Sequence, residues 1–190
     1  MGPEETVVLV TCLIWILSEV FGSRIVPALR GRGTVKVKGD RGSSAIIWLT
    51  IFVSITVVVN LEATGITGLP EWCFELGLAM MIGGIVLRQW AIFVLGRFFS
   101  TKVRILTDHR IVTNGPYSVV RHPSYTGALF TLVGFGLASR TWAGTLVILI
   151  LSGLVYGYRI SIEEKALKAE FGEQYLDYSR RTKRLIPLLF

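Results

Sequence analysis

Long apolar stretches alternate along this chain with short, strongly basic ones, a pattern that predicts helices crossing a membrane. A spanning helix needs roughly 20 mostly apolar residues. Five stretches are candidates, at residues 6–21, 43–61, 72–96, 124–138 and 142–162. The third is long enough to tilt and the fourth is short, and helix tilt with local bilayer deformation accommodates both. Only Ser139-Arg140-Thr141 separates the last two, so they are expected to form a tight antiparallel hairpin. Beyond them Leu167, Phe171, Tyr175 and Tyr178 recur at helical spacing with charge on the other faces. That spacing fits an amphipathic helix lying on the membrane surface, packed as a lid over a pocket, or both. The expected fold class is all-α: a polytopic membrane protein with about five transmembrane helices, the last two a hairpin, plus a cytoplasmic C-terminal amphipathic helix.

Composition supports this reading. Only 17% of the 190 residues are charged and the mean hydropathy is +0.58, whereas a soluble domain carries about 25% charge. The net charge of +7 raises the possibility of nucleic acid, but the cations sit between apolar segments, as expected at a membrane surface. Arg24, Arg30, Arg32, Lys36, Lys38 and Arg41 separate the first two spans. Arg97, Lys102, Arg104, Arg110 and Arg121 separate the third and fourth, and Lys165, Lys168, Arg180, Arg181, Lys183 and Arg184 fill the tail. The 62–71 loop and the N-terminal residues have no Lys or Arg, and the last hairpin turn has Arg140 alone. The positive-inside rule then places the N-terminus outside and the C-terminus in the cytoplasm, and five spans demand opposite ends. Cys12 and Cys73 form no metal or disulfide motif and read as small hydrophobes. The N-terminus has no basic region of the kind that opens a signal peptide. Gly153 with Gly157, and Ala79 with Gly83, have the small-xxx-small spacing that lets helices approach closely.

Candidate chemistry gathers on the basic side. Asn114-Gly115-Pro116 signals a turn, and Pro123 suits the first position of a helix with His122 at its cap. The free N–H groups of that first turn and the helix dipole make a place for an anion such as a carboxylate, with Ser124 and Tyr125 hydroxyls beside it. Arg159 and Glu163 lie one turn apart at the inner end of the fifth span. They read either as an interfacial ion pair or as the second wall of a pocket facing His122. His109 and His122 read singly as ordinary loop histidines, and Glu19 and Arg88, inside apolar spans, as partners of their neighbours.

Taken together, Gly115-Pro116-Tyr117, Arg121-His122-Pro123-Ser124-Tyr125-Thr126-Gly127, Glu163-Glu164, Phe171-Gly172-Glu173-Gln174-Tyr175-Leu176-Asp177-Tyr178 and Arg184-Leu185-Ile186-Pro187 resemble the isoprenylcysteine carboxyl methyltransferase family over residues 97–190. The resemblance implies S-adenosylmethionine as cofactor, held by His109, Arg110, Ile111, Val112, Tyr117, His122, Pro123, Ser124, Tyr125 and Glu163. It implies Arg159 as the substrate-side residue, with Arg159 and Glu163 the catalytic pair and no metal. Where the family carries an upstream Gln, this chain has Lys102. Residues 1–96 would supply the first three transmembrane helices, and 97–190 the cofactor loop, the last two helices and the tail, as one structural domain.

A carboxylate acceptor is already ionised at neutral pH, so such a site needs no general base, only in-line positioning and exclusion of water. A lipophilic acceptor would enter sideways from the bilayer, membrane lipids would surround the protein, and no nucleic acid is expected. No strand followed by GxGxxG marks a soluble dinucleotide-type cofactor domain. Two other readings stand: a phospholipid or amine methyltransferase, which would need a base, and a non-enzymatic membrane scaffold, which would not need this constellation.

Overall fold

The apolar stretches become helices whose ends are marked by turn residues. In the computed structural model, which describes residues 2–29, 31, 34–38, 42–65 and 68–186, α1 runs Pro3–Val20 and opens on Pro3 with Glu4 and Glu5 in its first turn. A π-helical turn Phe21–Ile25 and the short α2 (Val26–Leu29) prolong it. The remaining helices are α3 (Ser43–Ala63), α4 (Trp72–Leu95), α5 (Pro123–Ala138), α6 (Trp142–Phe171) and α7 (Glu173–Arg181). Arg30, Arg32 and Arg41 of the first basic segment, and Pro187 of the closing motif, lie outside the described residues.

Among the described residues, four helices are long and apolar enough to cross a membrane: Pro3–Leu29, Ser43–Ala63, Trp72–Phe98 and Trp142–Phe171. At 16 residues, α5 is shorter than these, and it is the most enclosed, with Leu132 and Thr131 fully buried. It packs intimately on α4 through glycines. A Cβ added at Gly127 would come within 2.6 Å of the Gly84 carbonyl oxygen, and one at Gly134 within 2.6 Å of that of Gly77. Only bare backbones approach this closely. A Cβ added at Gly153, Gly157 or Gly83, whose spacing also suggests close packing, would meet no other described element within 4 Å. A helix interface is visible in sequence only when both faces of it are known.

The fold is mostly helical, as expected, with one short sheet that the sequence reading lacks. β1 (Val35–Lys38) pairs antiparallel with β2 (Arg104–Leu106), joining the two basic segments. The Val-Lys-Val-Lys alternation has the period of a strand, but inside a basic loop it reads as a row of membrane anchors. Lys36 also reaches Glu170 on α6, Nζ to Oε1 at 2.6 Å. At the opposite end of the bundle, the Gly68 and Leu69 amides donate to the Arg140 carbonyl (3.1 and 3.3 Å), and Arg140 Nε donates to the Leu69 carbonyl. The loop after α3 and the turn after α5 therefore share one end, while both basic segments and the tail share the other.

The expected single amphipathic tail helix is two. Gly172, at φ +51, breaks it between Phe171 at the end of α6 and Glu173 at the start of α7, because a side chain is strained in that conformation. Helical spacing of aromatics does not register such a break.

Candidate active site

At the basic end, Pro123 begins α5 and His122 caps it at φ −125, as expected of a residue before proline. The amides of Tyr125 and Thr126 both return to the His122 carbonyl (3.0 and 3.1 Å). The anion cradle expected at this helix start is therefore narrower than its sequence suggests.

Beside it opens a cleft lined by His109, Arg110, Ile111, Val112, Tyr117, His122, Ser124, Tyr125 and Glu163, together with Lys102, Leu167, Tyr175 and Tyr178. Pro123 is fully buried and sits behind this wall. His109 lies between the rings of Phe98 (4.8 Å) and Phe171 (5.7 Å). Burial holds its imidazole below the usual range, while the charges of Glu163, Asp108 and Glu170 pull the other way. Burial also raises the Tyr117 and Tyr175 phenols and pushes Tyr178 up to about 12, so all three are neutral hydroxyls. Tyr178 donates to the Tyr117 carbonyl at 2.8 Å, fastening α7 to the turn at Gly115–Ser118. Three buried polar atoms on residues of this wall have no hydrogen-bond partner among the described residues: His109 Nδ1, the Tyr175 hydroxyl and His122 Nε2, the last lying 3.5 Å from Glu164. His109 Nδ1 and the Tyr175 hydroxyl are thereby open to a polar ligand.

Arg159 lies on the other side of Tyr125. It is 2% exposed, and its guanidinium donates to the Tyr125 hydroxyl (3.1 Å), the Ser43 hydroxyl (2.5 Å) and the Thr101 carbonyl (2.9 Å). Tyr125 in turn donates to Glu163 Oε2 at 2.7 Å. Arg159 and Glu163 thus meet through one phenol as well as through their helix. A second cavity, of about 320 Å³, opens on this side; Trp15, Ile47, Trp48, Ile51, Phe52 and Ile55 give it an apolar wall, and Glu19, Arg88, Tyr156 and Arg159 a polar end. Phe99, Ser100 and Tyr125 line both cavities, forming the partition between them. Glu19 and Arg88 do pair: the guanidinium grips both carboxylate oxygens and donates to the Ser124 carbonyl at 2.9 Å.

Residues from the first half of the chain escaped sequence reasoning. Ser43 and Trp15 border the site, yet nothing in their local sequence distinguishes them from other residues of apolar helices, whereas Glu19 stands out in sequence only as an ion-pair partner. Glu164 also has a different task from its neighbour Glu163. Buried at 4% exposure, it receives Arg121 Nε (3.1 Å) and Arg184 Nη2 (3.0 Å) and lies 3.5 Å from His122 Nε2. The Arg121 and His122 amides donate to the Lys183 and Arg184 carbonyls, and Thr126 Oγ1 to that of Leu185. The tail is thereby stitched along the start of α5.

Comparison with known proteins identifies the family of the chain. The model of the isoprenylcysteine carboxyl methyltransferase family matches residues 77–169. Protein-S-isoprenylcysteine O-methyltransferase B of Arabidopsis thaliana is 34% identical over 120 residues, 62% of this chain and 61% of that protein. The enzyme of Tribolium castaneum is 34% identical over 141 residues, 72% of this chain but 50% of its own. A probable protein-S-isoprenylcysteine O-methyltransferase of Oryza sativa subsp. indica is 31% identical over 132 residues, 67% of this chain and 69% of that protein. The chain thus spans between half and about three fifths of the first two relatives. A solved eukaryotic intramembrane Ras methyltransferase, an isoprenylcysteine carboxyl methyltransferase, superposes with TM-score 0.60 at 31% identity over 77% of this chain and 51% of that one. With motif, fold and relatives in agreement, the chain belongs to the isoprenylcysteine carboxyl methyltransferase family.

Proposed function

We propose that the protein is an S-adenosylmethionine-dependent membrane methyltransferase that esterifies the carboxylate of an isoprenylcysteine-like lipophilic acceptor. The observation that carries this reading is the shared partition: one phenol, Tyr125, joins a polar cleft to an apolar cavity and touches both Arg159 and Glu163.

The polar cleft fits the cofactor. Its unpartnered His109 Nδ1 and Tyr175 hydroxyl, its Glu163 carboxylate and its aromatic faces suit ribose hydroxyls, an amino group and an adenine ring. His109 to Val112, Tyr117 and His122 to Tyr125 are assigned to it, with Glu163 fixing the amino or ribose groups. When bound, the cofactor supplies an electrophilic methyl carbon on a sulfonium sulfur, and the electron pair of the broken C–S bond leaves with sulfur. Arg159, its plane held by Ser43 and Thr101, attracts and orients the acceptor carboxylate. That carboxylate is ionised at neutral pH, so no residue has to remove a proton. Tyr125 sets the distance between the acceptor and cofactor sides, and the surrounding apolar walls exclude water.

The apolar cavity, bounded by α1 and α3 residues such as Ile16, Trp48 and Phe52, suits an acceptor that arrives from the lipid. This reading takes α5 and α6 as a hairpin and α5 as a fifth, short crossing. The N-terminus then lies outside and the site on the cytoplasmic face, as the basic segments gathered at one end of the bundle support. Residues 97–190 supply the cofactor side, and the first helices complete the acceptor side within one structural domain.

A calorimetric titration with S-adenosylmethionine tests the reading. Wild type is expected to bind, and Glu163→Ala and His122→Ala to bind weakly or not at all; undiminished binding by both variants, or none by wild type, would overturn it.

A further inference from the structure

A third recess is formed by the C-terminal tail, the end of α7, Lys168 and Glu164 of α6, and Arg121. Six cations face it: Lys168 from α6, Arg180 and Arg181 from the last turn of α7, Lys183 and Arg184 from the extended tail, and Arg121. The carboxylate in its wall, Glu164, is buried and already engaged by Arg121 and Arg184. Arg180 leans on the exposed Asp177 at 3.0 Å, which neutralises one cation more. A positive surplus remains over Lys168, Arg181 and Lys183, all of them exposed.

The position of this surplus matters as much as its sign. The Lys183, Arg184 and Leu185 carbonyls are bonded to Arg121, His122 and Thr126, so the tail runs along the start of α5. On the topology proposed above, that is where the chain enters the bilayer. Just beyond the cations, Ile186 stays 38% exposed. A cluster of Lys and Arg with an exposed aliphatic side chain at a bilayer boundary has the chemistry of a phospholipid headgroup site: cations for the phosphate, an apolar rim for the first carbons of the acyl chains.

We propose that this recess binds the headgroup phosphate of an anionic membrane phospholipid. The proposal rests on the topology of the preceding subsection, and its readout does not require methyl transfer. The full chain, purified in mixed micelles holding equal phosphatidylglycerol and phosphatidylcholine, is examined by native mass spectrometry for retained lipid. Phosphatidylglycerol is expected to be retained preferentially, less so at high salt. Arg181→Gln with Lys183→Gln is expected to reduce that preference about fivefold per cation removed. Lys165→Gln, on α6 outside the recess, is expected to leave it unchanged. Should the double variant fail to fold, by its melting temperature in phosphatidylcholine alone, Lys168→Gln takes its place with a single fivefold loss expected. Equal retention of the two lipids by wild type, or undiminished preference in the recess variants, would overturn the proposal. So would full displacement of the lipid by inorganic phosphate alone, which would mark a free-anion site. If cofactor titration fails while the lipid preference persists, the catalytic reading falls and the lipid site stands.

Discussion

Tyr125 donates its hydroxyl hydrogen to Glu163 at 2.7 Å while accepting one from Arg159 at 3.1 Å, so a single phenol spans the two sides of the site. Removing that oxygen separates them. Tyr125→Phe keeps the ring stacked on Tyr156 but deletes two hydrogen bonds to charged groups, each worth about 1.5 to 3 kcal/mol. A fall in kcat/KM of about tenfold to a hundredfold is expected in steady-state methylation assays, together with a lowered melting temperature.

His109 gives the site a pH dependence whose sign is fixed by its burial. Its folded-state pKa lies below the ordinary 6.5, so between those two values the unfolded chain binds the extra proton. The contribution to stability is full above about pH 6.5 and declines as pH falls toward and through the lowered pKa. Melting temperature measured against pH should drop on acidification in wild type and drop less steeply in His109→Gln. Parallel curves would remove His109 as the cause.

The α4–α5 contact should tolerate no side chain. Gly127→Val would drive a branched Cβ into the Gly84 carbonyl and the Arg88 backbone, and overpacking of that kind costs about 1 to 3 kcal/mol or more. A lowered thermal midpoint is expected. Gly153→Val, where a Cβ meets nothing within 4 Å, should leave it nearly unchanged.

Glu164 secures the tail. Glu164→Ala leaves Arg121, only 11% exposed at its side chain, without its carboxylate, and breaking a buried pair in this way costs about 3 to 5 kcal/mol. Limited trypsin digestion should then cut faster around Arg180, Arg181 and Lys183 than in wild type. An unchanged cutting rate would show that the backbone bonds to residues 119–122 hold the tail alone.

The parts of this molecule legible in sequence are those set by local physics. Pro123 starts a helix because proline lacks an N–H, and the apolar runs from Ser43, Trp72 and Trp142 become helices of membrane-crossing length. His109 to Val112, His122, Ser124 and Tyr125 line one cleft with Glu163, while Pro123, grouped with them by motif resemblance, does not line it. What sequence could not show depends on distant partners. Ser43 reaches Arg159 across 116 positions, and Val35–Lys38 becomes a strand only because Arg104–Leu106 lies beside it. Gly77 and Gly84 matter because Gly134 and Gly127 face them, whereas the better-spaced Gly153 and Gly157 face nothing described. Tail periodicity carried across Gly172 without revealing the break.

The central claim is that the site joins a cofactor methyl to a carboxylate carried by a lipophilic acceptor. The most direct measurement supplies S-adenosylmethionine with a labelled methyl group to the purified protein in lipid, together with an S-prenylcysteine analogue bearing a free carboxylate, its carboxamide counterpart, or an aminolipid. The account predicts label in the free-carboxylate analogue alone, released as methanol by mild base, and lost in Arg159→Ala. Label in the carboxamide or the aminolipid, or label that resists base, would contradict it.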